Sequence, residues 1–226
     1  MIRAVLFDLD GTLLNRDLSV RKFIHDQYER LLNVLVHIPK EEYVQRFIEL
    51  DYRGYVWKDK VYRQLVKEYA INEITWEELL EDYLANFRHS CVPFPNLIQI
   101  LENLKGSGMS LGMITNGKGQ FQLDNIRALG IAPYIDAILI SEWEGIKKPN
   151  EQIFQRALNK LSVRPEESIF VGDHPEKDIA AARNVGMRTV WKKDLHWEGS
   201  NADYIIEDLI ELSNILEMEE AETNER

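Results

Sequence analysis

The chain has 226 residues, of which 45% are hydrophobic and 29% are charged, and its formal net charge is −11. The composition excludes a disordered or membrane-spanning chain, and the acidic excess argues against a sequence-independent grip on a nucleic acid polymer, which needs clustered Lys and Arg. The single cysteine, Cys91, excludes an intrachain disulfide, and with no continuous apolar leader we expect a cytoplasmic location.

The first predicted element is a strand at the start of the chain. Residues Ala4 to Phe7 form a short apolar run that ends at an aspartate, which is typical of a strand buried on both faces. Four later runs share this pattern and predict four more strands: Leu111–Ile114, Ala137–Ile140, Ser168–Val171 and Arg188–Trp191.

About a hundred residues separate the first two strands, and their pattern is wholly helical. This interruption is too long for a single crossover connection and predicts an inserted domain. Thr75 and Glu78 have the spacing of a helix capping box. The four helices predicted here are Val20–Val36, Lys40–Leu50, Trp57–Tyr69 and Thr75–Arg88. We therefore predict an all-α cap over residues 16–88.

The remaining strands alternate with helical patterns, which predicts crossover units and a parallel sheet covered on both faces. These helices are Pro95–Lys105, Gly119–Leu129, Asn150–Leu161 and Glu176–Val185. The predicted fold class is a doubly wound α/β domain over residues 1–15 and 89–217, with the cap inserted. The strongly acidic residues 218–226 are predicted to form a tail.

Two carboxylates, Asp8 and Asp10, follow the first strand directly. They leave the carboxyl edge of the sheet, where doubly wound folds bind ligands. An ionised carboxylate such as Asp8 can attack phosphorus and form an aspartyl-phosphate. A second carboxyl, Asp10, can protonate the leaving oxygen and then accept a proton from water. Clustered carboxylates resist ionisation unless a cation lies among them, and Mg²⁺ fits because it prefers oxygen ligands.

The segment Asp8-Leu9-Asp10-Gly11-Thr12 and three later segments appear in a fixed order. The later ones are Ile114-Thr115-Asn116, Lys148-Pro149, and the stretch from Gly172 to Asp178, which reads GDHPEKD. Together they resemble the four motifs of the haloacid dehalogenase-like hydrolases, in the phosphatase branch with a helical cap after the first motif. The stretch from Val171 to Trp191 looks closest to nucleotidase-like members.

The resemblance implies a role for each motif residue. The metal ligands would be the Asp8 carboxylate, the Asp10 carbonyl and Asp173, with Asp178 orienting the metal-bound waters or Lys148. The residues expected to hold the phosphate are Asp8, Thr115, Asn116 and Lys148, and Thr115 and Lys148 would also take part in catalysis. Lys148 is preferred to Lys147 because it immediately precedes the proline.

The predicted function is Mg²⁺-dependent hydrolysis of a small phosphorylated metabolite, such as a nucleoside monophosphate or a sugar phosphate. Asp10 argues against dehalogenation, which needs no acid for an alkoxide leaving group. A sugar phosphomutase and a catalytically silent phosphometabolite-binding protein remain alternatives. The cap is expected to close over the site, with Tyr52, Tyr55 and Trp57 as candidate substrate contacts. We expect a monomer or a dimer that does not bind membranes.

Overall fold

The computed structural model describes residues 1–224, and for residues 222–224 it describes the backbone alone. The chain divides into two compact units, one formed by Met1–Asn15 and Pro93–Arg226 and the other by Arg16–Val92. The second boundary lies four residues beyond the predicted end of the cap. The extra residues stay with the helical unit because Lys22 Nζ donates to His89 O at 3.1 Å and Val92 N donates to Ser19 Oγ at 2.9 Å.

The first unit is built on a six-stranded parallel sheet with the order β3-β2-β1-β4-β5-β6. The strands are β1 (Ala4–Phe7), β2 (Ser110–Thr115), β3 (Ala137–Ile140), β4 (Ser168–Gly172), β5 (Arg188–Lys192) and β6 (Tyr204–Ile206). The predicted α/β fold class and its five strands are confirmed. The sixth strand was not predicted, because a three-residue edge strand leaves almost no periodic pattern.

Strand β1 lies at the centre, where the chain order of the strands reverses. Phe7 pairs with Met113 on one side and with Val171 on the other, so Asp8, Thr115 and Gly172 reach the same edge of the sheet. All four residues of β1 are buried, as expected for a strand covered on both faces. The topology therefore brings the ends of three neighbouring strands together at a switch point, where open α/β sheets bind ligands.

The helical unit contains five helices around an aromatic core. They are α1 (Arg16–Arg30), α2 (Leu32–Leu35), α3 (Lys40–Asp51), α4 (Lys58–Glu68) and α5 (Trp76–Asn86). The long helix predicted from 20 to 36 is divided at Leu31, which leaves helical geometry at φ −108° and ψ 21°. Phe23, Phe47 and Tyr83 form part of the core, with the Phe23 and Tyr83 rings 5.0 Å apart and nearly perpendicular.

A buried charge cluster follows α3. Asp51 is 2% exposed and pairs with Arg16 Nη2 at 2.7 Å and with Lys58 Nζ, and it accepts a hydrogen bond from Gly54 N at 3.0 Å. Burial raises the pKa of Asp51, but the charges of Arg16 and Lys58 outweigh burial and hold that pKa below its ordinary value. Asp51 thus stays ionised inside the unit and anchors the turn that follows it.

The turn after Asp51 has an unusual backbone. Tyr52, Arg53 and Gly54 have φ values of +46°, +55° and +85°, a left-handed run that costs free energy for the two residues with side chains. Tyr52 and Tyr55 are exposed, whereas Trp57 is half-buried. The two tyrosines proposed as substrate contacts therefore do not belong to the core of the helical unit.

The predicted capping box at the start of α5 is present. Thr75 Oγ1 accepts from Glu78 N at 3.2 Å, and Glu78 Oε2 accepts from Thr75 N at 2.8 Å. We expect Thr75→Ala to lower the free energy of unfolding by about 1 kcal/mol, because one helix N–H loses its acceptor. Urea unfolding followed by circular dichroism measures this loss. Thr75→Ser, which keeps the hydroxyl, is the control, and equal stability of the alanine and serine variants would refute the role of the cap.

The first unit continues with helices that cover the sheet. They are α6 (Leu97–Gly106), α7 (Gly119–Ala128), α8 (Ser141–Glu144), α9 (Glu151–Leu161), α10 (Ala181–Val185) and α11 (Leu212–Asn224), and a π-helical turn, Pro175–Ala180, precedes α10. The four predicted helices correspond to α6, α7, α9 and the π-turn with α10. Within residues 1–224, no helix has both the length and the apolar character that a membrane crossing requires.

The end of the chain differs from the predicted acidic tail. Helix α11 continues to Asn224, and the last two residues lie outside the described part of the chain. Glu219 is buried, where it accepts from Tyr204 Oη at 2.8 Å and pairs with Arg188 Nε at 3.3 Å. These partners on β5 and β6 offset the free-energy cost of burying the Glu219 carboxylate. Composition alone does not reveal such partners.

Candidate active site

Asp8 lies directly after β1 and is 6% exposed. Its backbone N–H donates to Val171 O at 2.9 Å, which continues the sheet pairing by one residue. Lys148 Nζ lies 2.5 Å from Asp8 Oδ1. Burial raises the pKa of Asp8 to about 7, with further increases from the charges of Asp178 and Asp10, while Lys148 acts in the opposite direction. More positive charge beside Asp8 would therefore favour its ionised form.

Lys148 is 3% exposed and lies between two carboxylates. Its ammonium pairs with Asp8 at 2.5 Å and with Asp178 Oδ1 at 2.6 Å. Burial lowers the pKa of Lys148, but the charges of Asp178 and Asp8 outweigh it and raise the pKa above its ordinary value. The side chain is therefore a fixed positive charge inside the site. Lys147, the alternative in the sequence, is exposed.

Asn116 holds the backbone of the loop that carries Lys148. Its Nδ2 donates to Lys148 O at 3.0 Å, and its Oδ1 accepts from Lys148 N at 2.9 Å. This paired contact fixes the position from which the lysine side chain enters the site. The sequence predicted Asn116 as a phosphate contact, whereas in the structure its side-chain amide binds the Lys148 main chain.

The fourth motif brings two further aspartates to the site. Asp178 Oδ2 accepts from His174 N at 3.0 Å while Oδ1 pairs with Lys148, so both of its oxygens are engaged. Gly172 permits this packing, because a Cβ there would lie 2.4 Å from the Asp178 Cβ. Asp173 follows β4, and its main-chain oxygen accepts from Trp191 Nε1 at 2.7 Å.

Asp8, Asp173 and Asp178 form a carboxylate cluster. One oxygen of each lies within 4.8 Å of the others, which is close enough for three groups to share a metal ion. Burial raises the pKa of Asp173 well above its ordinary value, as do the charges of Asp178 and Asp8. Gly11 also approaches closely, since a Cβ there would lie 2.3 Å from Asp173 Oδ2. Three carboxylates against one lysine leave negative charge that a divalent cation would balance.

Asp10 and Thr115 are joined by Gln122, a residue that the sequence analysis missed. Asp10 is half-buried, Thr115 is 1% exposed and Gln122 is 2% exposed. Gln122 Nε2 donates to Asp10 Oδ2 at 2.8 Å and to Thr115 Oγ1 at 2.7 Å. A glutamine in the first turn of a helix gives no signal by itself, although its position just after the second motif could have drawn attention to it.

The predicted site residues thus gather at one edge of the sheet in linked groups. Lys148 joins Asp8 to Asp178, Asn116 holds the Lys148 backbone, and Gln122 joins Asp10 to Thr115. The arrangement brings together a buried carboxylate, a second carboxyl two residues away, a fixed positive charge and a carboxylate cluster that could hold a metal ion.

Comparison with known proteins identifies relatives of matching length. A family model described as haloacid dehalogenase-like hydrolase matches residues 5–192. A glyceraldehyde 3-phosphate phosphatase of Pyrococcus furiosus is 30% identical over 252 aligned positions, which cover 99% of this chain and 97% of the relative. A pyrimidine 5'-nucleotidase of Escherichia coli is 32% identical over 62% of this chain and 63% of its own. A crystal structure of a phosphatase from Thermococcus onnurineus is similar with a TM-score of 0.68 and 31% identity, covering 95% and 98% of the two chains.

Proposed function

The chain belongs to the haloacid dehalogenase-like hydrolase family and is a phosphatase, and from this premise we propose that it hydrolyses small phosphate monoesters with Mg²⁺ through a phosphorylated Asp8. The observation that carries the proposal is the buried contact of Asp8 with Lys148, with Asp173 and Asp178 close by. A lysine ammonium held beside a carboxylate nucleophile supplies charge where the transferring phosphoryl group accumulates it.

The reaction divides into two displacements at phosphorus. In the first, the ionised Asp8 attacks phosphorus and Asp10 gives a proton to the departing oxygen, so the alcohol leaves and an aspartyl-phosphate remains. In the second, Asp10 takes a proton from a water that attacks the same phosphorus, and inorganic phosphate leaves with Asp8 regenerated. Lys148 and Thr115 face the negative charge that develops on the phosphoryl oxygens in both steps.

The donor set of the site fits Mg²⁺, because Asp8, Asp173 and Asp178 bring three carboxylates within metal-binding distance of one another, and the Lys148 ammonium that pairs with two of them supplies a single positive charge. The proposed ligands are the carboxylates of Asp8 and Asp173 and the main-chain carbonyl of Asp10. When bound, the ion would neutralise the clustered charge and polarise a phosphoryl oxygen. Asp178 is assigned to positioning Lys148, because both of its oxygens are already engaged.

The relatives narrow the substrate class. The relative that aligns with 99% of the chain, including the helical insertion, is named for glyceraldehyde 3-phosphate, whereas the pyrimidine nucleotidase aligns with 62%. We therefore place small phosphorylated sugars and trioses first among the candidate substrates and nucleoside monophosphates second. The single cysteine, Cys91, supports a reducing, cytoplasmic setting for such a metabolite enzyme.

The proposal is tested by phosphate release from glyceraldehyde 3-phosphate, sugar phosphates and nucleoside monophosphates, with Mg²⁺ and with a chelator. We expect chelation to lower kcat/KM by about 100-fold or more, because the carboxylate cluster loses its balancing charge, and added Mg²⁺ to restore the rate. Asp173→Asn should raise the Mg²⁺ concentration needed for half-maximal rate, and the control Glu176→Gln, exposed in the same motif, should not. Full activity in chelator would contradict the metal role, and isomerisation without phosphate release would indicate a mutase.

A further inference from the structure

Gln122 binds two predicted catalytic residues with one amide group. It lies in the first turn of α7 and is 2% exposed. Its nitrogen donates to Asp10 Oδ2 at 2.8 Å and to Thr115 Oγ1 at 2.7 Å. A side-chain amide nitrogen carries two hydrogens, so these contacts use both. A single side chain therefore connects the loop after β1 with the end of β2.

We propose that Gln122 is a positioning residue that directs the acid–base group of Asp10 and the hydroxyl of Thr115 towards the substrate. The inference rests on the proposed function, in which Asp10 protonates the leaving oxygen. Because Gln122 donates to Oδ2 of Asp10, that oxygen acts as an acceptor, and the proton of the acid form is carried by Oδ1. Gln122 thus determines which oxygen of Asp10 serves as the acid.

The same amide settles the role of the Thr115 hydroxyl. A hydroxyl group has one hydrogen, and the Thr115 oxygen already accepts from Gln122. Its hydrogen therefore points away from Gln122 and is available to a phosphoryl oxygen. The two hydrogen bonds from Gln122 therefore leave one oxygen of Asp10 for the leaving group and the Thr115 hydrogen for the phosphate.

Neighbouring residues fix the glutamine in this orientation. Asn125 Nδ2 lies 3.4 Å from Gln122 Oε1 and approaches it as a donor. The reversed amide would turn its oxygen towards the Asp10 carboxylate, placing two acceptors together. Gly117 leaves room for the side chain, because a Cβ there would lie 2.8 Å from Gln122 Cγ. The local packing is thus arranged around this glutamine.

The test compares leaving groups, because an acid matters most when the departing oxygen is strongly basic. We would measure kcat/KM, which includes every step through loss of the alcohol, for 4-nitrophenyl, phenyl and benzyl phosphate. The proteins are the wild type, Gln122→Met, Gln122→Glu and Asp10→Asn. Methionine removes both donors at similar size. Glutamate replaces the donor that faces Thr115 with an acceptor, so it would draw the Thr115 hydrogen towards itself, and it presents a carboxylate to Asp10.

We expect the loss caused by Gln122→Met to be about tenfold larger for benzyl phosphate than for 4-nitrophenyl phosphate, which needs no acid. Gln122→Glu and Asp10→Asn should likewise lose more kcat/KM with benzyl phosphate than with 4-nitrophenyl phosphate. In the Asp10→Asn background, Gln122→Met should add no further dependence on the leaving group. The control is Gln120→Met, which removes an exposed glutamine of the same helix that binds Asp124, and it should match the wild type.

A purely structural glutamine would give a different pattern. Suppose that Asp10→Asn lowers kcat/KM by different factors for the three esters, whereas Gln122→Met and Gln122→Glu lower it equally for all three or not at all. The inference is then overturned, and the proposed function stands. If Asp10→Asn keeps wild-type values for every ester, or the wild type hydrolyses none, the proposed function itself fails and the inference falls with it. Thermal unfolding of each variant identifies losses that come from misfolding.

Discussion

Replacing Asp8 with asparagine is expected to lower kcat by about 10⁴-fold or more, because the amide cannot attack phosphorus. The side chain keeps its volume, and Lys148 keeps Asp178 as a charged partner, so the fold should persist. Phosphate release and acid-quenched mass spectrometry measure the result, and a phosphoryl group should appear on the peptide that contains Asp8 in the wild type only. The control is Asp17→Asn, an exposed aspartate of α1, which should retain full activity. Turnover retained in Asp8→Asn would refute the nucleophile.

The same variant has a second, independent signature in its stability. Burial raises the pKa of Asp8 in the folded protein from 3.8 to about 7, so between these values the folded state binds more protons than the unfolded state. The free energy of unfolding of the metal-free wild type therefore falls as pH rises through this interval. Asparagine does not titrate, so we expect the stability of Asp8→Asn relative to the wild type to increase from pH 4 to pH 7. A constant difference across that range would contradict the raised pKa.

Replacing Lys148 with methionine is expected to lower kcat/KM by about 10³-fold, because the phosphoryl oxygens lose the fixed charge that faces them. Breaking a buried ion pair by removing one partner should also cost about 3 kcal/mol of unfolding free energy in the metal-free protein. Steady-state kinetics and urea unfolding measure the two effects. Lys148→Arg should not restore the rate, because the planar guanidinium is larger than the ammonium and would have to enter a position that is 3% exposed between two carboxylates.

Lys147→Met is the matched control for that experiment, because it makes the same change at the adjacent, exposed residue. It should leave both kcat/KM and stability unchanged. If Lys147→Met lost activity while Lys148→Met kept it, the assignment of the lysine would be reversed. Mg²⁺ titration of Lys148→Met then separates loss of the metal from loss of the lysine charge, since saturation with Mg²⁺ should not restore the rate.

The strands and the clustering of the motif residues could be predicted because both depend on local patterns. Short apolar runs identify buried strands, and parallel strands deliver the residues that follow them to a shared edge. This reasoning places Asp8, Thr115 and Asp173 together without any knowledge of their contacts. The catalytic and metal-binding roles of these residues stay predictions until the variants above are measured.

Other features could not be predicted because they depend on tertiary contacts. Nothing in the local pattern around Gln122 shows that its amide meets Asp10, a residue 112 positions away. The partners of Glu219, Tyr204 and Arg188, lie on two strands of the sheet rather than in the neighbouring sequence, so an acidic composition suggested a tail where the structure forms a helix. The division of the first cap helix at Leu31 also falls within an apolar pattern that continues unbroken.

The anchoring of the turn at Tyr52–Gly54 has a consequence for how this enzyme can diversify. The turn is held by the ion pairs of Asp51 with Arg16 and Lys58. The exposed side chains of Tyr52 and Tyr55 take no part in these ion pairs. Substitutions at these two positions would therefore leave the ion pairs that hold the turn in place. Position 52 has a left-handed backbone and favours residues that adopt it readily, such as asparagine and glycine. New side chains could be sampled there by evolution or by directed selection without rebuilding the chemistry at the sheet edge.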